Sequence, residues 1–288
     1  MNTAVVIYHK DCPDGLTAAV AAWLKLKDTA VYIPRHYNEP RDDDAYRGKD
    51  VYVLDFSFSL EATRRVDEVA KSLTILDHHK TAFDNLNGTK YAERLRMDQS
   101  GARLAWEFFH PGIPCPNIVD YVEDNDLWRH KLPHWEEVKV AGEMVSLKDP
   151  DAINRWAAFA DRLANDFNGV VVQGTAIVEY RNILIQRMCN EPGFALLAGH
   201  KVPCVNTGSW QSEVGNLLSK EHPFAIIWRA DKEGRFLYSL RSDNTRHEAV
   251  DVSEVAKLFG GGGHKNAAGF TSNAPPMMVK PDSVMVRS

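Results

Sequence analysis

The sequence predicts a two-domain α/β protein, and three observations carry that prediction. Its first half alternates short apolar runs with helical patterns, the signature of parallel strands joined by right-handed crossovers. A long helical stretch follows near residues 170–190. Beyond it a strand-rich pattern resumes and closes on a run of glycines. The expected arrangement is an N-terminal parallel-sheet domain (1–170), a linker helix (171–190) and a smaller C-terminal α/β domain (191–288). An active site is expected in the cleft between the domains.

Each element follows from its pattern. TAVVIYH (3–9) reads as a buried strand. Gly15 to about Lys27 reads as a helix with Leu16, Ala19, Val20, Trp23 and Leu24 on one face. AVYIP is a second strand, followed by the polar loop EPRDDDAYRGKD. DVYVLDFSF is a third, Leu60 to Lys71 a helix, and SLTILDHH a fourth strand. Strands this short and wholly apolar fit a sheet covered on both faces. Helices are expected at 101–110, 117–127 and 152–165. VVVQGTAIVEYRNILIQRMCN reads as one connector helix despite its β-branched residues and Gly174. FALLAGHKVPCVN, FAIIWRAD and RFLYSLRS then read as strands, the last two flanking a hairpin turn at Lys232-Glu233-Gly234. DVSEVAKLF is a helix ending at Gly260 to Gly263. The chain after Ala274 is expected as surface chain or a last edge strand.

Composition narrows the function. The 288 residues are 44% hydrophobic and 25% charged, an ordinary globular balance. No apolar run is long enough to span a bilayer. The opening MNTAVVIYHKD reads as a first strand without a signal peptide, so a cytoplasmic protein with no membrane partner is expected. The four cysteines, Cys12, Cys115, Cys189 and Cys204, form no Cys-x-x-Cys pair, which excludes a zinc ribbon. Cys12 reads as a small reduced residue in a turn before Pro13 rather than as a nucleophile. A net charge of −5 argues against tracking long nucleic acid, which needs a basic footprint. A short phosphorylated substrate remains compatible.

Four points carry Asp or His just after an apolar run or within a helical one. They are His9, Asp11 and Asp14; Asp55; Asp77-His78-His79; and Asp124, with Asp126 as its competitor. Ligands of open parallel sheets gather at the carboxyl ends of strands, where His9, Asp55 and Asp77 fall. One such Asp alone is a helix cap or turn residue. The whole set, buried without cations, would be prohibitively costly. A pair of divalent cations explains it, and mixed imidazole and carboxylate donors suit Mn²⁺, Fe²⁺, Co²⁺ or Zn²⁺ better than Mg²⁺. Two ions about 3.5–4 Å apart would activate a hydroxide and hold phosphoryl oxygens for in-line attack. At the other end of the chain, Gly261, Gly262 and Gly263 offer N–H groups that a phosphate can approach, and His264 and Lys265 add donors. The run follows a helix instead of opening one, so it is not a dinucleotide fingerprint. Arg241 is a candidate phosphate clamp, with Arg103 and His36 as further candidates.

These residues carry a family resemblance. Asp77-His78-His79, with the upstream His-x-Asp-x-x-Asp-Gly and Asp55 on an intervening strand, resembles the DHH phosphoesterase superfamily. GGGGHKNAAGF (260–270) resembles the glycine-rich signature of the associated DHHA1 domain. Together the motifs span nearly the whole chain in the expected order. The resemblance implies a metal-binding catalytic DHH domain, a substrate-binding DHHA1 domain and two divalent ions, with Mn²⁺ expected. It implies His9 and Asp11 as ligands of one metal, and Asp14, His78 and Asp124 as ligands of the other. Asp55 would bridge them, Asp77 would orient the histidines, and His79 would polarise substrate. Pro13 lengthens the interval between Asp11 and Asp14 relative to many members. The implied activity is that of the nano-RNase branch, a phosphodiesterase or exoribonuclease that cuts short oligoribonucleotides or linear dinucleotides to mononucleotides. A 3′,5′-bisphosphonucleoside phosphatase, a cyclic-dinucleotide phosphodiesterase and a non-enzymatic nucleotide-binding module stand as alternatives. The expected partner is short RNA or a dinucleotide, not long duplex nucleic acid, and a homodimer is compatible.

Overall fold

The structure, a computed structural model, describes residues 3–37, 39–40, 42–243, 245 and 250–280. It divides into two compact units, Met1–Val178 and Glu179–Ser288.

The first unit is built on a wholly parallel sheet of β1 (Ala4–His9), β2 (Ala30–Arg35), β3 (Asp50–Leu54) and β4 (Ser72–Leu76), in the order β2-β1-β3-β4. Side chains alternate across a strand, so each strand feeds two cores. Val6, Tyr8, Leu54 and Leu76 pack with α1 (Pro13–Leu26), α4 (Gly101–Phe109), α5 (Asn117–Asp126), α6 (Trp135–Gly142) and α7 (Ala152–Asn165). Val5, Ile7, Val51, Val53 and Ile75 pack with α2 (Leu60–Val69) and α3 (Lys80–Leu86). Burial on both faces explains why the strands read as continuous apolar runs. Tyr8 lies opposite Leu54, and Leu54 opposite Leu76. The residue that ends or follows each strand therefore leaves at one edge of the sheet. Those residues are His9, Asp55 and Asp77.

Helix starts follow ordinary capping chemistry. Ser59 accepts the Ala62 N–H at the start of α2, and Ser100 accepts the Arg103 N–H at the start of α4. Pro13 opens α1, where its missing N–H costs nothing. Helices α3 and α6 were not expected from the sequence. Each is under three turns long, too short for an apolar stripe to stand out, and α6 starts directly after a left-handed His134.

Helix α8 (Phe167–Asn190) runs through the boundary between the units. In the second unit a seven-stranded sheet has the order β11-β5-β6-β7-β8-β10-β9. Its strands are β5 (Gly193–Leu197), β6 (His200–Asn206), β7 (Ala225–Ala230), β8 (Phe236–Arg241), β9 (Gly262–His264), β10 (Ala267–Ser272) and β11 (Met277–Val279). Helix α9 (Gln211–Leu218) covers one face and α10 (Val252–Lys257) the other. The β7–β8 pair is an antiparallel hairpin with Gly234 at φ 78° in its turn, and the expected edge strand is β11 on β5. Among the described residues no helix is long and apolar enough to cross a membrane.

Candidate metal centre at the carboxyl edge of the parallel sheet

Side chains distant in sequence converge where β1, β3 and β4 end. His9 Nδ1 lies 3.4 Å from Asp55 Oδ2. His78 Nε2 lies 3.2 Å from Asp55 Oδ1, 3.5 Å from Asp14 Oδ2 and 3.4 Å from Asp126 Oδ2. Two groups result that share Asp55: His9, Asp55 and His79, and Asp14, Asp55 and His78. Asp126, from the last turn of α5, extends the second.

The surroundings fix these groups in place. Asp77 Oδ1 accepts the backbone N–H groups of His78 and His79 at 2.8 and 3.2 Å, and lies 2.8 Å from the His79 ring Nδ1. Asp77 thus anchors both histidines and turns the His79 ring. Asp14, at the start of α1, has its carboxylate against the start of α4, where it accepts the N–H groups of Gly101 and Ala102 at 2.7 and 2.8 Å. Only glycine fits at 101, because a Cβ there would lie 2.4 Å from the Asp55 Cβ. Asp55 itself takes a left-handed backbone, φ 52°, which Asp tolerates better than most residues but still at a cost. The Tyr37 ring packs edge-on against His9 at 5.5 Å and lies tilted against Phe56 at 4.8 Å.

Buried polar atoms in folded proteins are normally paired, and each one left unpaired costs about 1–3 kcal/mol. Here His9 Nδ1, Asp55 Oδ1, Asp77 Oδ2 and His78 Nε2 are all buried without a hydrogen-bond partner. Their mutual contacts fall at ion-pair distances without hydrogen-bond geometry. Donors at about 2.0–2.1 Å from one cation lie about 3–3.4 Å from each other. The observed spacings have that character. The donor chemistry and the orphaned atoms both fit divalent cations.

No family model matches the chain. It is 29% identical to the uncharacterized protein R106 of Acanthamoeba polyphaga mimivirus, over 92% of this chain and 66% of that protein. It is 24% identical to oligoribonuclease NrnB of Bacillus subtilis, over 76% of this chain and 58% of that protein. The chain thus spans less than two thirds of either relative. A solved structure with the same fold is the pGpG-specific phosphodiesterase PggH of Vibrio cholerae, with a TM-score of 0.55 and 12% identity, covering 93% of this chain and 92% of that one. Asp77-His78-His79 stands at the carboxyl edge of this fold, and the glycine-rich signature lies in the second unit. The chain shares the fold of that phosphodiesterase.

The cluster has a divided electrostatic character. Burial alone would raise the Asp55 carboxyl, but close contact with His78 and His9 and the charge of His79 hold it below the ordinary carboxylate range. Asp14 goes the other way. Burial, then the charges of Asp55 and Asp126, push it well above that range. Burial raises Asp126 too, against the opposing charge of His78. His78 is raised because Asp55 outweighs the effect of burial, and His79 is raised by its bond to Asp77. Without a cation, the raised carboxyls of Asp14 and Asp126 and the raised imidazoles of His78 and His79 all favour the protonated form.

Several sequence candidates stand elsewhere than expected. Asp124 does not face the cluster. Both of its oxygens accept backbone N–H groups, of Lys131 at 3.0 Å and of Leu132 at 3.2 Å, closing the turn after α5. The acid that α5 presents to His78 is Asp126. Asp11 also turns away: its left-handed backbone, φ 54°, directs the carboxylate to His36 Nε2 at 3.3 Å. Arg103 is committed to structure, donating to Glu123 at 2.8 Å and Asp120 at 2.6 Å on α5. In the second unit, Arg241 donates to the Leu240 carbonyl at 2.9 Å and to Ser212 Oγ at 3.1 Å. Gly262, Gly263 and His264 form the exposed edge strand β9, paired with β10. A Cβ at Gly261 would lie 2.1 Å from the Gly269 carbonyl oxygen, and one at Gly263 2.6 Å from that of Ala267. Packing against β10 therefore demands glycine at both positions, whereas Gly262 faces open space.

Proposed function

We propose that this protein is a divalent-metal-dependent phosphodiesterase that hydrolyses short oligoribonucleotides or linear dinucleotides to mononucleotides. The observation that carries the reading is the cluster of orphaned buried donors around Asp55. Asp14, Asp55, His78 and Asp126 would hold one ion, and His9 with Asp55 the other. Mn²⁺ suits the oxygen and nitrogen donors of the first group. Bound ions would supply Lewis acidity and make a water acidic enough to attack phosphorus at neutral pH. The chain's own groups provide the rest. Asp55 joins the two halves, Asp77 sets the orientation of His78 and His79, and His79, its protonated form favoured by Asp77, would face substrate as a proton donor or polarising group. The exposed N–H groups and imidazole of Gly262 to His264 offer a phosphate-binding edge, and Arg241 a nearby cation on the same sheet.

Two relatives support a short substrate. One is named an oligoribonuclease, and the structure sharing the fold is named for pGpG. The net charge of −5 agrees, since a long polyanion would be repelled. The test is a panel assay of the metal-reconstituted protein on linear dinucleotides, longer RNA, cyclic dinucleotides, 3′,5′-bisphosphorylated adenosine and pyrophosphate. Fastest turnover on linear dinucleotides or very short RNA is expected, with Asp55→Ala losing both turnover and cation binding. Activity confined to the bisphosphorylated nucleoside would replace the proposed substrate. No activity on any of them would remove the enzymatic reading.

A further inference from the structure

One face of α5 runs from the candidate metal centre into an apolar cavity of about 400 Å³, a size at the small end of ligand pockets. Ile118, Tyr121, Val122, Asn125 and Asp126, spaced three and four apart along the helix, all line it. Eight residues at a rise of about 1.5 Å set Ile118 about 12 Å from Asp126. Asp126 and Asp14, which lie 3.4 and 3.5 Å from His78 Nε2, belong to the same wall. Trp156 and Phe159 of α7 supply an aromatic side. Trp156 is pinned there, since its Nε1 donates to Thr17 Oγ1 at 2.8 Å. Gly142 packs against both rings, which a Cβ would meet at 3.1 and 3.2 Å. Around the rim Tyr121 donates its hydroxyl to the Pro133 carbonyl, and Lys139 pairs with Glu143 at 3.3 Å. The half-buried Asn125 amide has no hydrogen-bond partner among the described residues.

We propose that this cavity is a nucleobase pocket, which takes the base of the nucleotide whose phosphate lies at the Asp14 and Asp126 end. The inference rests on the phosphodiesterase reading above and deepens it by locating one half of the substrate. A nucleotide joins a phosphate to a flat group with apolar faces and a polar edge. The cavity matches that division along its length. Its far part offers aliphatic and aromatic walls on which a base can stack. Asn125 stands next to Asp126 with a donor and an acceptor free, the pair that reads the edge of a base. A purely aliphatic ligand would leave that amide and the carboxylates of Asp14 and Asp126 without partners, at a cost in desolvation. A second phosphate would find no basic side chain in the inner wall. The remaining cation, Lys148, is exposed.

The test is a calorimetric titration of the full chain, loaded with Mn²⁺, run beside turnover of a linear dinucleotide. The titrants are adenosine 5′-monophosphate, guanosine 5′-monophosphate and ribose 5-phosphate. At least one nucleotide should bind about tenfold or more tightly than ribose 5-phosphate, the effect of one stacked base. Val145→Trp in the wall and Ser146→Trp at the exposed mouth should each cut that preference to below about threefold, with thermal melts reporting the fold. If Val145→Trp fails to fold, Ser146→Trp decides, because its position is outside the core. Equal binding of nucleotide and ribose 5-phosphate, in a chain that still cuts the dinucleotide, would overturn the pocket and leave the phosphodiesterase standing. A preference that survives in the folded variants would put the base elsewhere and overturn it too. No binding of any of the three would do the same. An intact nucleotide preference in a chain that cuts no dinucleotide would support the pocket and sink the phosphodiesterase reading.

Discussion

Alanine at position 101 probes the site through packing alone, because Gly101 has no side chain to contribute chemistry. The new Cβ would meet the Asp55 Cβ at 2.4 Å, the Asp55 Cα at 2.9 Å and Asp14 Oδ2 at 3.0 Å. Ordinary contact begins near 3.4 Å, so about 1 Å must open between α4 and β3. Asp55 cannot retreat easily, since its N–H is bonded to the Leu76 carbonyl at 2.8 Å. The start of α4 must move instead, weakening the two N–H bonds to Asp14. Overpacking of about 1–3 kcal/mol and part of a charge-assisted bond give a loss of about 2–4 kcal/mol. At about 2–4 °C per kcal/mol, the melting of the first unit should fall by about 5–15 °C. A 1 Å error at a reacting centre costs about a hundredfold in turnover, and cation affinity should drop as well. Calorimetric melting with and without added metal, and metal titration of the same samples, measure both effects. Wild-type melting together with wild-type metal affinity would refute the placement of α4 against Asp55.

Other substitutions separate roles that the sequence leaves mixed. Gly261→Ala should destabilise the second unit by about 1–3 kcal/mol through its clash with Gly269, while Gly262→Ala should leave stability within about 0.5 kcal/mol. A different order in denaturant melts would contradict the packing argument. Asp126→Ala should weaken cation binding without loss of fold, whereas Asp124→Ala should cost about 1–3 kcal/mol by orphaning the Lys131 and Leu132 N–H groups. Metal titration and thermal melts of both variants distinguish them, and the opposite pattern would return Asp124 to the site. Finally, the raised values of His78 and His79 mean that the metal-free folded state binds protons more tightly than the unfolded chain. That stabilisation is full below about pH 6.5, the unfolded value, and is lost as pH rises through the raised folded values. Metal-free melting should therefore fall as pH rises above about 6.5 while the gain from added cation grows, since protons and cations compete for the imidazoles. A gain that shrinks with rising pH would contradict this.

The fold was legible wherever apolar runs ended in chemistry. VVIYH, VYVLD and LTILD announced both a strand and the side chain delivered at its end, because the period of a buried strand leaves no other use for a terminal acid. Helix α5 was less readable. Asp124 and Asp126 stand about 200° apart around the helix axis, so only one can face the cluster. The sequence shows two acids and no sign of which one caps the turn that follows. Arg103 misled for a related reason: its partners Asp120 and Glu123 lie on another helix, and pairing between helices leaves no local pattern. The glycine run was read as an open cradle, but Gly261 and Gly263 are dictated by the neighbouring strand, whose carbonyls are invisible in the sequence before the sheet forms.

The left-handed turn at Asp55 has a consequence for how this chain would change under selection. At that position glycine would relieve the backbone, and removing the carboxylate would relieve the repulsion that burdens Asp14. A library screened for heat resistance alone, in chelator, should therefore accumulate substitutions at Asp55 early. The same library grown where activity is required should hold the position fixed. Comparing the two populations by sequencing would locate the working residues of the chain without any substrate being known.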